Sequence, residues 1–119
     1  MSYPTFSILT AGAAFCLAGC ASTAVPAERL ASSEAAIRSA TELGAAGTPS
    51  ATLYLKLAHD NVEQAKKLIK DGDNKRADYV LMRAEADAEL ALAMTRETAA
   101  RTSAEQVLEQ VKSVKSGPR

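Results

Sequence analysis

The chain is expected to be all-α: an Ala-rich antiparallel helical hairpin with a long last helix, preceded by a shorter helix and an uncharged N-terminal segment. Three observations carry this expectation. From Ala51 onward, apolar residues recur at alternating spacings of four and three, as they do along a helical seam. Alanine, the strongest helix former, dominates the apolar class. Beyond residue 27 the aromatic residues are Tyr54 and Tyr79, and Trp is absent. Burying alanine gains little area at ~25 cal/mol per Å², so a thick globular core is out of reach. Long helices in close contact remain as the way to build one small domain.

The N-terminal segment comes first. Met1 to Ala27 carries no charged side chain, and the first charge is Glu28. Phe6 to Ala18 is mostly apolar and runs into Leu17-Ala18-Gly19-Cys20. An apolar stretch of ~7–15 residues closed by small residues is the pattern of an export signal. A signal peptidase admits only small side chains beside the scissile bond, and Ala18 and Gly19 meet that need. The Cys20 thiol offers the sulfur that takes a diacylglycerol. Leu17, Ala18, Gly19 and Cys20 resemble the lipobox of bacterial lipoproteins. The resemblance implies a signal peptide over 1–19, cleavage before Cys20, a thioether-linked lipid on Cys20, and usually a further acyl chain on the new amino terminus. One acyl chain binds a membrane only marginally, at ~0.8 kcal/mol per buried methylene, whereas two anchor it stably. Ala21 rather than Asp follows the cysteine, which leans the destination toward the outer membrane, facing the periplasm.

The segment departs from the signal pattern in one respect: no Lys or Arg precedes the apolar run. The rival reading is an uncleaved transmembrane helix, which needs ~20 apolar residues. Pro4 and the interspersed Ser, Thr and Gly dilute the run against that rival. An even pair of cysteines in an exported protein ordinarily suggests a disulfide. Here Cys16 leaves with the signal and Cys20 is alkylated, so neither a disulfide nor a cysteine metal site is expected.

Residues 20–27 look like a lipidated tether, and residues 28–112 like the helical domain. Pro26 suits a helix start, where a missing N–H is not needed. A first helix is expected from about Ala27 to Leu43, with a modest stripe of Leu30, Ile37 and Leu43. Glu34, Arg38 and Glu42 stand at i, i+4 spacing on its exposed face, and Gly44 and Gly47 end it. Thr48 or Ser50 can cap the second helix, with Pro49 in its first turn. Its seam is Ala51, Leu55, Ala58, Val62, Ala65 and Ile69, widened by Leu57 and Leu68; Glu63 and Lys67 stand at i, i+4. Asp71-Gly72-Asp73-Asn74 is the turn, with Gly72 ending the second helix and Asp73 or Asn74 capping the third. So short a connection makes the two helices antiparallel neighbours.

The third helix is expected from about Lys75 to Lys112, on the seam Ala77, Leu81, Ala84, Ala88 and Ala91. Thr95, Thr98 and Thr102 then occupy the same positions, so the stripe turns polar halfway. At 1.5 Å per residue the second helix spans ~33 Å and the third ~57 Å. Part of the third must therefore meet the first helix, another chain or water. Val107, Leu108 and Val111 suggest a second contact patch there. Lys112, Lys115 and Arg119, among Ser113, Ser116, Gly117 and Pro118, make 113–119 a disordered basic tail in expectation.

Gly44-Ala45, Pro49 opening a helix, Leu57-Ala58, Ala65, Gly72-Asp73, Ala77, Ala84 and Asp87-Ala88-Glu89-Leu90-Ala91 together resemble a family. It is the widespread group of small Gram-negative lipoproteins known as domain of unknown function 4398. The resemblance covers about residues 28–110. It implies an Ala-rich helical hairpin after the lipobox and a place in the envelope; in some members a peptidoglycan-binding OmpA-type domain is joined, which is not expected in this chain. The family brings no established activity with it.

Little in the sequence supports chemistry. His59 is the single histidine, and no second His or Cys completes a zinc site. Ser50 and His59 lie too far apart on one helix to hydrogen-bond. Asp71-Gly72-Asp73-Asn74 is not a calcium loop, because Met82 stands where an EF-hand needs its closing Glu. Gly44-Ala45-Ala46-Gly47 lacks the Lys-Ser/Thr of a phosphate-binding loop. No catalytic residue, cofactor or metal is expected. The 14 basic and 14 acidic residues are interspersed, which argues against nucleic acid as a partner. The expected partners are the membrane, through lipid on Cys20, and either another envelope protein or a second copy. The function expected is that of a non-catalytic helical spacer or adaptor in the cell envelope. The alternative is a periplasmic carrier or chaperone, with the stripe of the first helix and the end of the third holding a lipid or an unfolded client.

Overall fold

The computed structural model describes residues 23–117. The expected signal peptide over 1–19, the expected lipobox residues Leu17, Ala18 and Gly19, and the expected lipidation site Cys20 lie outside the described residues. Three α-helices follow in order: α1 (Ala27–Glu42), α2 (Pro49–Lys70) and α3 (Asn74–Lys115), with a single 3₁₀ turn at Ala45–Gly47 between the first two. The described residues contain no strand.

Local chemistry sets each boundary. Pro26 precedes α1, and Glu28 lies in its first turn, where a negative charge meets the positive end of the helix dipole. Gly44 takes φ +92°, the left-handed conformation that lets the chain leave α1, and its N–H reaches the Thr41 carbonyl at 2.9 Å. Thr48 stands extended before α2, with Pro49 next. Its hydroxyl does not cap the helix but donates back to the Gly44 carbonyl at 3.1 Å. At the other end, Gly72 has φ +82°, Asp73 N–H bonds the Leu68 carbonyl at 2.9 Å and Gly72 N–H the Ile69 carbonyl at 3.0 Å. That is the Schellman closure. Asp73 then caps α3, its Oδ1 accepting from Arg76 N–H at 3.3 Å.

The helices form an up-down-up bundle. Asn61 on α2 meets Asp87 on α3, as expected of antiparallel neighbours joined by a tight turn. Contacts from α1 to α3 advance together, Arg29 to Asp78 and Ser33 to Leu81, so these two helices run parallel. The first helix therefore covers the same half of α3 as α2 does, and not its far end.

Nine of the fourteen buried apolar residues are alanines. With so few large side chains, the helices make contact largely through methyl groups. Ala51, Leu55, Ala58, Val62 and Ala65 of α2 and Ala77, Leu81, Ala84, Ala88 and Ala91 of α3 are all buried. Ile69 is partly buried and packs on the edge of this core, as do Leu68, Tyr54 and Leu30, while Leu57 is exposed. Ile37 and Ala40 enter from α1.

Two differences from the sequence expectation concern α3. Thr95, where the seam turns polar, is buried, and its hydroxyl donates to the Ala91 carbonyl at 2.8 Å; threonine closes the core because the preceding turn satisfies its polar group. The helix also continues to Lys115 instead of ending at Lys112, so the disordered tail placed at 113–119 does not begin at 113. Lys112 and Lys115 occupy the last turn, where cations oppose the negative end of the dipole, and no glycine interrupts before Gly117.

Candidate interaction surface

The bundle has two unlike poles. At one pole the segment before α1 passes the α2–α3 turn, where Asn74 Nδ2 donates to the Thr23 carbonyl at 2.7 Å. Arg29 fastens α1 there, Nε lying 2.5 Å from Asp78 Oδ1 and an end nitrogen 3.8 Å from Glu85 Oε2. Val25, Lys75 and Tyr79 line the same open cleft. Arg29 faces Asp78 and Glu85 within it, which holds the start of α1 against α3.

Polar contacts across the helices set the register. Asn61, nearly buried, donates to Asp87 Oδ2 at 2.9 Å. Ser33, fully buried, shares its one hydroxyl proton between the Leu81 carbonyl at 3.0 Å and the Arg29 carbonyl of its own helix at 2.8 Å. Lys66 lies 3.0 Å from Glu63 and 3.1 Å from Glu34 of α1. The hydrogen bond to Glu63 first, and then that to Glu34, hold the ammonium above the ordinary lysine value against a small opposing effect of burial. The i, i+4 pairs expected from sequence are thus replaced: Glu34 bridges to α2, and Glu63 pairs with Lys66 rather than Lys67.

At the other pole, every residue of α3 past Thr95 is exposed, as far as Gly117. The second patch foreseen there is open to solvent, with Val107 57%, Leu108 60% and Val111 49% exposed, and Val114 joins it at 82%. At ~100° per residue, these four lie on the far side of α3 from Ala84, Ala88 and Ala91. Val107, Val111 and Val114 continue a second stripe that the sequence reading missed. Tyr79, Ala86, Ala93, Ala100, Val107 and Val114 recur every seven residues, with Leu90, Ala104 and Val111 four residues after Ala86, Ala100 and Val107. All nine are exposed. The signal was a second heptad phase on the same helix, hidden because the buried phase is the more regular one. Arg83 and Glu97 interrupt it.

His59 is exposed. Among the described residues no group of three or more His, Cys, Asp or Glu side chains could hold a metal ion, and no helix is long and apolar enough to cross a membrane.

A family model described as "Domain of unknown function (DUF4398)" matches residues 28–107, which takes in the whole bundle and the start of the exposed patch. No curated protein and no solved structure matches the chain.

Proposed function

The chain belongs to the DUF4398 family, and from that premise we propose that it is a non-catalytic lipoprotein of the cell envelope, anchored through Cys20 and working as a helical spacer or adaptor. The observation that supports this most is the polarity of the bundle. Thr23 is tied to Asn74 at the turn end, and three residues of chain from Thr23 back to Cys20 reach at most ~11 Å. A lipid on Cys20 therefore sits close to one pole. The bare end of α3 lies at the other, since 42 helical residues span ~63 Å. Such a molecule carries an apolar surface away from its own attachment point, which is what an adaptor needs. The outer membrane, facing the periplasm, is the location proposed, on the lipobox and Ala21.

The carrier reading needs α1 and the end of α3 to share a cleft. Ile37 and Leu30 are instead packed into the bundle, away from Val107 and Val111. The anchor is tested by metabolic labelling with a fatty acid. Wild type and Cys16→Ser take up label, and Cys20→Ser does not; label retained by Cys20→Ser overturns the reading.

A further inference from the structure

We propose that the outer face of α3 pairs with the same face of a second copy of this chain, antiparallel, so that each bare end lies along its partner's bundle. This deepens the adaptor reading by naming the partner, and it stands whether or not Cys20 carries lipid. Three observations point to it.

The stripe from Tyr79 to Val114 has a seven-residue repeat. A repeat of that period on an exposed helix is matched by another helix, because only knobs and holes of the same period stay in step along its length. The matching helix needs a free stripe of its own. Among the described residues, the apolar positions of α1 and α2 lie mostly within their own bundle, so the outer face of α3 is the stripe that a second copy offers.

Charge selects the direction. In a parallel pair in register, Arg83 faces Arg83 and Glu97 faces Glu97 inside the seam, and Arg96 flanks Arg101. All three juxtapositions are of like charge and destabilise the pair. In the antiparallel pair, Leu90 faces Val107 of the second copy, Ala93 faces Ala104 and Ala86 faces Val111. Glu97 then faces Ala100 and lies beside Arg101 of the second copy, twice over about the two-fold axis. Arg101 already bonds Glu97 of its own helix at 2.7 Å, so four alternating charges close the centre. Arg83 falls opposite Val114, at the wet end of the seam.

Area agrees. The overlap from Met82 to Lys115 is ~51 Å long and ~10 Å wide, from helix rise and diameter. Counting both copies, that footprint is ~1,000 Å², the size at which specific interfaces begin. The geometry also separates the two Asn74 residues by ~74 Å, putting the two tethers at opposite ends of one rod. Both lipids reach a single membrane only when the rod lies along it.

The test uses two differently tagged copies of the full chain produced together, one carrying Leu90→Cys and the other Val107→Cys. A short, membrane-permeant thiol-to-thiol crosslinker is applied to whole cells, with the chain lacking added cysteines as background. The mixed pair is expected to link. Val107→Cys alone is expected not to, because its two copies stand ~26 Å apart along the rod. Ala104→Glu places a carboxylate against Ala93 and near Glu97 of the second copy, and is expected to lower the mixed link about tenfold, the equivalent of ~1.4 kcal/mol. Ala104 is exposed beyond the bundle, so unchanged circular dichroism separates loss of pairing from loss of fold. A Val107→Cys self-link, a mixed link no stronger than background, or a mixed link unmoved by Ala104→Glu each overturns the proposal. None of these results depends on fatty-acid labelling at Cys20, so the pairing and the anchor fail separately.

Discussion

Replacing Ala84 with leucine tests whether the alanines set the distance between helices or merely favour helix. Ala84 is fully buried on α3, midway along the stretch that α1 and α2 cover. Two effects oppose. Leucine is nearly as good a helix former as alanine. If the site yields freely, three more buried carbons at ~0.8 kcal/mol each stabilise by ~2.4 kcal/mol. If the helices already touch through their alanines, they lie near the ~8 Å end of the usual interaxial range, and a leucine asks for something nearer ~10 Å. The seam cannot open at one layer without loosening its neighbours, because the residues above and below, Leu81 and Ala88, are also fully buried. Overpacking then wins, at a net cost of ~1–3 kcal/mol. A domain of this size loses about 4–8 °C per kcal/mol, so the midpoint is expected to fall by about 5–20 °C. The assay is thermal unfolding by far-UV circular dichroism on the soluble chain beginning at Ala21. The control is Ala93→Leu on the exposed face of the same helix, expected to change the dilute chain by less than ~0.5 kcal/mol. An Ala84→Leu midpoint equal to or above wild type refutes the close-packed reading.

Two further outcomes follow from the same geometry. At concentrations where the chain is a single copy, amides of α3 beyond Thr98 are expected to exchange at least about a hundredfold faster than those from Ala77 to Ala91, because a lone helical end is marginal in water; even protection along α3 at dilution refutes this, and protection that rises with concentration reports the pairing. Lys66 has a raised folded-state pKa, so its stabilising effect is complete below the ordinary lysine value and is lost as pH rises through the folded one. The difference between wild type and Lys66→Met, ~0.5 kcal/mol for so exposed a cluster, is expected to hold at neutral pH and vanish in the alkaline range; a difference that grows with pH contradicts the assignment.

Much of the fold was legible because its determinants are local. Pro49, Gly44, Gly72 and Asp73 act on their own turns, and each stands within a residue or two of the boundary it sets. The buried positions were legible for a related reason: Ala51 to Ala65 and Ala77 to Ala91 follow one period without a break. What escaped depends on contacts between distant residues. Whether Glu34 pairs with Arg38 or reaches Lys66 is decided by the approach of α1 to α2, which no spacing encodes. Thr95 looked like the end of the core, and is buried because its hydroxyl is satisfied by its own helix. The direction of α1 was equally hidden: a short helix before a hairpin can cover either half of α3, and the Arg29 and Ser33 contacts choose the first. The outer stripe was visible as spacing, but its meaning required knowing which face the other two helices occupy.

A plain rod is a poor account of the bare end of α3. A helix that only spans distance in water does best with alanine and long charged or amide side chains, which combine high helix propensity with solvation. The overhang has such residues at Glu97, Arg101, Glu105, Gln106, Glu109 and Gln110. Its one apolar face carries Val107, Val111 and Val114 instead. Valine loses side-chain freedom in a helix and ranks below alanine, glutamate and lysine there, so three valines weaken the helix where no bundle supports it. The compensation has to come from contact, as valine offers a larger apolar surface than alanine without the conformational freedom of leucine or methionine. Along the open stripe Ala86, Ala93, Ala100 and Ala104 give way to Val107, Val111 and Val114, so the larger and stiffer residues stand where the helix has no bundle beside it. A partner helix meeting the open stripe would convert the weakest part of α3 into a supported one, and that gain is available only on association.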